Sequence, residues 1–253
     1  MIIMPADYVG KKVVEFLCKQ KENIRVLVID EEDRGGYNQE IINLIKLNNS
    51  EVNIFKSKDL EDESILNEIR NLNCELGILA WWPHIINESI IKLANRGFVN
   101  THPGFLPYNR GKHPYFWSIV DETPFGVTLH YVDTDIDSGP VIQREIIECK
   151  WEDTGESLYN KSREKILELF YDNFEKIKDN SITPLPQIAT EGTFHYGKEL
   201  EPKCNIDLEA SYKAKDLINI LRGRMFNGIG ACSFIDDGKK YIVSINIKEV
   251  EGD

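Results

Sequence analysis

Residues 97–141 decide how this chain is read: they begin GFVNTHPGFLPYNRGKHPYFW (97–117) and close HYVDTDIDSGPV (130–141). Residues 97–102 have the make-up of a short buried strand. Strand side chains repeat every second residue, so Asn100 and His102 project from the same face near its end. Pro103 and Gly104 then break the strand. A second apolar run, residues 125–132, has strand character and leads into a polar loop, residues 133–139, that carries Asp133, Asp135 and Asp137. This order lets an acid from the loop meet the histidine.

Working outward toward the N-terminus, residues 1–4 read as a first strand, 9–19 as a helix, 25–30 as a buried strand and 39–47 as a helix. Residues 52–55 are expected extended, 60–72 helical and 76–81 a strongly apolar strand. Strands separated by helices of this length pair in parallel through right-handed crossovers, which predicts an α/β fold: a Rossmann-like, mostly parallel sheet with helices on both faces. In such sheets ligands bind beyond the carboxyl ends of the strands. Three features converge on that edge, namely the Trp81-Trp82-Pro83 turn, the Asn100/His102 pair and the aspartate loop.

Toward the C-terminus, residues 154–177 form an amphipathic pattern in which Leu158, Ile166, Leu169, Phe170, Phe174 and Ile177 share a face, with Thr154 or Ser157 as the cap. Residues 180–187, NSITPLPQ, read as a linker because of their prolines. The expected division is therefore a domain over 1–179 and a small C-terminal α+β appendage over 180–253. In the appendage, residues 214–221 read as a helix. Residues 231–235 and 240–247 flank Asp236-Asp237-Gly238 as a β-hairpin. Tyr241, Val243, Ile245 and Ile247 alternate onto one face of it that must be buried, and a homodimer through this tail is the expected solution.

Composition narrows the function. The chain has 253 residues, 42% of them hydrophobic, enough for one sizeable core plus an appendage. Its net charge of −12 argues against nucleic-acid backbone binding while leaving room for one phosphorylated small molecule. The cysteines Cys18, Cys74, Cys149, Cys204 and Cys232 are scattered without a CxxC pair and read as reduced thiols. No apolar run approaches the ~20 residues of a membrane span, and the N-terminal run is too short for a signal peptide, so a cytoplasmic protein is expected. Residues 104–113 lack phosphate-loop spacing, and no GxGxxG occurs. His84, His130 and His195 stand in no metal-ligand spacing and read as structural; no metal is expected.

Taken singly, each motif in the central stretch is unspecific. In order, Asn100-x-His102, Leu106-Pro107, Arg110-Gly111 and Asp137-Ser138-Gly139-Pro140 resemble the formyltransferase family that uses 10-formyltetrahydrofolate. The resemblance covers most of the first domain, including Asp153-Thr154 and Ser157-Leu158, and is strongest over residues 99–142. It implies catalytic roles for Asn100, His102 and Asp137, and a folate pocket at Trp81, Trp82 and Pro83 with Asp133 and Asp135. One departure is Gly104, where the family often has Ser. The chemistry suits these residue types: formyl transfer to an amine develops an oxyanion that an Asn amide stabilises, and it releases a proton that an Asp-oriented His accepts.

The phrase FLPYNRGKHPYFW followed by TPFG is similar to enzymes that N-formylate nucleoside-diphosphate amino sugars for surface glycans such as O-antigen. The resemblance therefore implies a nucleotide-linked amino sugar as partner, expected as a thymidine-linked 3- or 4-amino-deoxyhexose. Tyr108, Arg110, Gly111, Lys112 and His113 are its candidate contacts, with Arg222 and Arg224 as cations for the diphosphate and Phe226 as a stacking platform for the base. The alternatives are a methionyl-tRNA formyltransferase, which usually carries a longer, basic tail; a formyltetrahydrofolate hydrolase; and a non-catalytic folate or nucleotide-sugar binding module, against which the intact triad argues.

Overall fold

A computed structural model describes residues 1–250; the last three residues of the expected C-terminal domain lie outside them. Its order begins β1 (Ile2–Pro5), α1 (Asp7–Lys19), β2 (Val26–Ile29), α2 (Asn38–Asn48), β3 (Asn53–Lys56), α3 (Glu63–Asn71), β4 (Gly77–Ala80), α4 (Glu88–Ile91) and β5 (Phe98–His102). It continues β6 (Arg110–Gly111), α5 (Pro114–Val120), β7 (Gly126–Tyr131), β8 (Val141–Ile146) and α6 (Gly155–Lys178). The remainder is β9 (Phe194–His195), α7 (Leu200–Cys204), α8 (Ala214–Gly223), β10 (Met225–Phe226), β11 (Ile229–Gly230), β12 (Cys232–Asp236) and β13 (Lys239–Val243).

Seven strands form one sheet in the order β3-β2-β1-β4-β5-β7-β8. The first five pair in parallel, and β7 runs antiparallel to β5. The chain steps outward from β1 to β3, then jumps across β1 to β4 and continues the other way. Right-handed crossovers in opposite directions put α1 and α2 on one face and α3 and α4 on the other, so the expected α/β class holds. Strand composition follows from this double cover. Ile2, Met4, Val26, Val28, Leu79 and Phe98 pack with Leu66, Ile69 and Ile90, while Ile3, Leu27 and Ile78, at the alternate positions, are fully buried too. The reversal of direction between β1 and β4 is a switch point, where such sheets leave a crevice at their carboxyl edge.

The chain divides into two compact units whose segments interleave. One holds Met1–His102, Thr128–Gln143 and Ile166–Gln187; the other holds Pro103–Val127, Arg144–Lys165 and Ile188–Asp253. Residues 180–187 thus belong to the first unit rather than acting as a bare linker. Leu185 exchanges backbone hydrogen bonds with Val141, at 2.7 and 2.8 Å, which adds that segment to β8.

The second unit has its own core of Phe116, Trp117, Leu200, Cys204, Ile220, Leu221 and Cys232. α5, not read from the sequence, starts with Pro114 at its first turn, where a missing N–H costs nothing. β12 and β13 form the expected hairpin. Asp237 and Gly238, both at positive φ, make its two-residue turn. Val243 and Ile245 pack on the unit's own core, whereas Ile229, Ile235 and Ile242 stay largely exposed. The hairpin face expected to need a partner is therefore partly covered from within, and regular pairing ends at Val243 rather than at residue 247. At the start of α6 both cap candidates act together. The Ser157 N–H donates to Thr154 Oγ1 at 3.2 Å, and the Thr154 N–H donates to Ser157 Oγ at 3.0 Å.

Candidate active site

β5 ends at the carboxyl edge of the sheet with Asn100 and His102 on one face, as the period-two reading requires. The antiparallel register with β7 places His130 directly opposite Asn100, and Thr128 opposite His102. After β7 the chain turns through residues 132–140. Gly139 permits the turn, since a Cβ there would lie 1.9 Å from the carbonyl oxygen of Tyr131. The turn returns Asp137, in the left-handed region at φ 50°, to the two histidines. Aspartate tolerates that conformation better than most side chains. His102 Nδ1 lies 3.5 Å from Asp137 Oδ2, and His130 Nε2 lies 3.7 Å from Asp137 Oδ1. The expected trio Asn100, His102 and Asp137 is therefore brought together within one unit.

His102 is almost fully buried, and its Nε2 has no hydrogen-bond partner among the described residues. With Asp137 facing Nδ1, the ring proton is favoured there. The Nε2 lone pair is left as the basic atom, the arrangement a general base requires.

His130, expected from its spacing to be structural, joins the same network. Its Nε2 is 3.1 Å from Asn100 Nδ2, and its Nδ1 is 2.9 Å from the Tyr131 carbonyl oxygen. Burial, the larger effect, drives its pKa from 6.5 down to about 4 against the opposing pull of Asp137, so the ring is neutral at ordinary pH. Gln187 is a second residue the sequence reading missed: its Nε2 donates to the carbonyl oxygens of Asp137, at 2.9 Å, and Gly139, at 2.6 Å. The signal for His130 was the register of an antiparallel pair, which the expectation of parallel pairing concealed. Gln187 gave no signal, being the last residue of a proline-rich stretch.

The Trp81–Pro83 turn follows β4. Trp81 sits at φ 61°, and its backbone N–H donates 2.9 Å to Oγ1 of Thr101, the residue between Asn100 and His102. Trp82 packs partly on the sheet core and meets the His84 ring edge-on at 5.4 Å. The His84 Nε2 is 2.9 Å from Oδ1 of buried Asp30. The turn is thus tied to β5 and to the end of β2. Asp133 and Asp135 are exposed; Asp133 accepts a hydrogen bond from the Thr134 N–H, and the Asp135 carbonyl accepts one from Ser138 Oγ.

In the second unit, Arg110 and Gly111 form β6 and pair with Phe194 and His195 of β9. Gly111 has φ 93°, and a Cβ there would meet the His195 carbonyl oxygen at 2.3 Å, so the position demands glycine. The Arg110 guanidinium lies 5.9 Å from the Phe194 ring centre. Tyr108 is half-buried and Lys112 exposed. His113 Nδ1 lies 3.0 Å from the Tyr115 hydroxyl. Burial, helped by the charges of Arg224 and Lys112, lowers its pKa. Phe226 stands edge-on to Tyr115 at 5.5 Å and to Tyr159 at 6.2 Å. Arg224 pairs with Glu201 at 2.6 Å. Arg222 departs from its expected role as a diphosphate cation. It is buried, its Nε donates to Asn219 Oδ1, and its Nη1 donates to the carbonyls of Lys150, Trp151 and Asp153. A guanidinium so enclosed braces the turn before α6.

Among the described residues no cluster of three or more His, Cys, Asp or Glu could hold a metal, and no helix is long and apolar enough to cross a membrane.

Residues 9–172 match the Formyl transferase family, and residues 199–249 match the N-formyltransferase dimerization C-terminal domain. The dTDP-4-amino-4,6-dideoxyglucose formyltransferase of Mycobacterium bovis is 36% identical over 149 residues, which is 58% of this chain and 63% of that protein. The chain thus spans just under two thirds of the length of that curated relative. Among solved structures, a 4-N formyltransferase from Francisella tularensis superposes with a TM-score of 0.80 at 24% identity, covering 98% of each chain. The N-formyltransferase from Helicobacter canadensis, solved in complex with folinic acid and dTDP-3-aminofucose, gives a TM-score of 0.67 at 18% identity, covering 88% of this chain and 80% of that one. With the Asn100, His102 and Asp137 arrangement inside the matched residues, this chain belongs to the formyl transferase family.

Proposed function

We propose that the protein transfers the formyl group of 10-formyltetrahydrofolate to the amine of a nucleoside-diphosphate amino sugar. The observation that carries this reading is the geometry of His102, whose Nδ1 faces Asp137 while its buried Nε2 has no partner among the described residues. As the amine nitrogen bonds to the formyl carbon, the carbonyl oxygen gains negative charge and the nitrogen must lose a proton. An Asn100 amide N–H stabilises that oxygen, His102 Nε2 takes the proton, and Asp137 stabilises the imidazolium. The proton is then available to the folate nitrogen as it departs.

The formyl donor is a co-substrate, and the Trp81–Pro83 turn with the 133–137 loop are its proposed holders. The fixed turn, tied through Thr101 to the strand that bears Asn100, supports that placement. The acceptor class is supported by the sugar substrate named for the mycobacterial relative and by the ligands of the Helicobacter structure. Tyr108, Arg110, Gly111, Lys112, His113, Arg224 and Phe226 are the proposed acceptor contacts. A cytoplasmic enzyme, homodimeric through its C-terminal unit and feeding surface-glycan synthesis, completes the reading. The dimerization-domain match and the exposed Ile229, Ile235 and Ile242 support the dimer.

The test is incubation with 10-formyltetrahydrofolate and a panel of thymidine-linked, uridine-linked and free amino sugars, with methionyl-tRNA and an acceptor-free control, read by mass. Formamide on the nucleotide-linked sugars is expected, with far lower rates on free sugars, because remote binding energy positions the reacting amine. Formyl-methionyl-tRNA as the main product would replace this acceptor, and free formate in every arm would indicate hydrolysis.

A further inference from the structure

We propose that His130 is a positioning residue for Asn100: it fixes which way round the Asn100 amide lies, so that an N–H rather than the C=O faces the oxygen on which charge develops. The inference rests on the formyl-transfer reading for its catalytic consequence, but not for its structural content.

His130 Nδ1 lies 2.9 Å from the Tyr131 carbonyl oxygen. A carbonyl only accepts, so Nδ1 must carry the hydrogen. The ring is wholly buried, and burial opposes a second proton, so Nε2 keeps a lone pair and only accepts. The Asn100 side chain lies 3.1 Å from Nε2. An acceptor there admits the NH2 end of the amide and repels its oxygen. One Asn100 N–H is thus held by His130, and the second points elsewhere, available as the oxyanion donor. Without His130 as acceptor, the two ends of a carboxamide differ little in shape, and the reversed orientation would turn an acceptor toward the oxyanion. The β5–β7 register makes this device possible by placing the two residues directly opposite each other. The neighbouring His102 ring meets His130 edge-on at 6.1 Å, and both rings face Asp137, His102 Nδ1 at 3.5 Å from Oδ2 and His130 Nε2 at 3.7 Å from Oδ1, so the cycle with Asn100→Ala separates a loss through Asn100 from one through Asp137.

The decisive kinetic test is a double-mutant cycle with His130→Leu, which keeps an apolar volume and removes the acceptor, and Asn100→Ala, after circular dichroism has confirmed the fold. His130→Leu is expected to lower kcat by about ten- to a hundredfold, less than full loss of an oxyanion donor. KM for both substrates should stay near wild type. In the Asn100→Ala background the same change should add almost nothing, because its target is gone. His130→Gln, whose side-chain oxygen can accept from Asn100, should recover most of the rate. Losses that add fully in the double variant would overturn the proposal.

Nitrogen NMR of histidine-labelled wild-type protein gives a second test that requires neither activity nor a folded Leu variant. The expected result is a neutral His130 protonated at Nδ1, with its Nε2 resonance shifting in Asn100→Ala as the donor is lost. Protonation at Nε2 would overturn the proposal even in a fully active enzyme. A protein that forms no formamide but shows the Nδ1 tautomer would reject the assigned function and leave the positioning intact.

Discussion

At the residue scale, the burden of the proposed reaction falls on a proton acceptor and an oxyanion donor. His102→Ala, with the fold retained, should lower turnover by ~10²–10⁴-fold, the usual worth of a general base. Asn100→Ala should cost ~10²–10³-fold, as loss of an oxyanion donor does. Steady-state rates on the best amino-sugar acceptor check both. His130 adds a pH signature. Its folded pKa of about 4 lies below the ordinary 6.5, so as pH falls the unfolded chain takes up this proton first. The stability that neutral His130 contributes is fully present above about pH 6.5 and is lost progressively as pH falls toward 4. Urea midpoints for wild type and His130→Gln should therefore converge on acidification from pH 7 to pH 5, and midpoints that diverge would contradict this. Asn100, His102 and Asp137 were legible because their types and order are unusual together. His130 was not, because an antiparallel register is set by tertiary pairing that a single chain does not display. Arg222 misled because a charged residue in sequence looks available, whereas its carbonyl partners come from residues 150–153.

At the scale of elements, two short devices act on different properties, a turn that places the acid and a cap that starts helix α6. Gly139→Ala must push the turn away from the Tyr131 carbonyl, because the added Cβ would lie 1.9 Å from it. A shift of that order at Asp137 should reduce kcat by roughly 10²-fold, as small misplacements of reacting groups do. Stopped-flow or steady-state rates will show it, and a wild-type rate would mean that Asp137 tolerates displacement. At α6, Thr154→Ala removes one half of a reciprocal cap and should cost about 1 kcal/mol of stability in denaturant titration, with activity little changed. The strand and helix sequence of the first unit was readable because hydrophobic periodicity and crossover length are local properties. α5 and the Leu185–Val141 pairing were not, since a helix built on a run of aromatics and an extended proline-rich segment depend on what they pack against.

For the whole molecule, the α/β class followed from the alternation of strands and helices, while the interleaving of the two units did not. The Pro103–Val127 segment and the C-terminal residues are far apart in sequence and share one core through Phe116, Trp117, Leu200 and Cys232. Assembly is tested at the same scale. Sedimentation at micromolar concentration should give a dimer, and Ile242→Glu, at a largely exposed position, should shift it toward monomer without unfolding the unit. A monomeric wild type would remove the homodimer from the account. The claim on which the rest depends is that His102 serves formyl transfer to an amine. The measurement that meets it most directly is the mass of a thymidine-linked amino sugar after reaction with 10-formyltetrahydrofolate, for wild type and for folded His102→Ala side by side. Formamide formed rapidly by the wild type and only in traces by the variant is the result predicted here. Equal formamide from both proteins, or none from the wild type with any amino sugar, would contradict it.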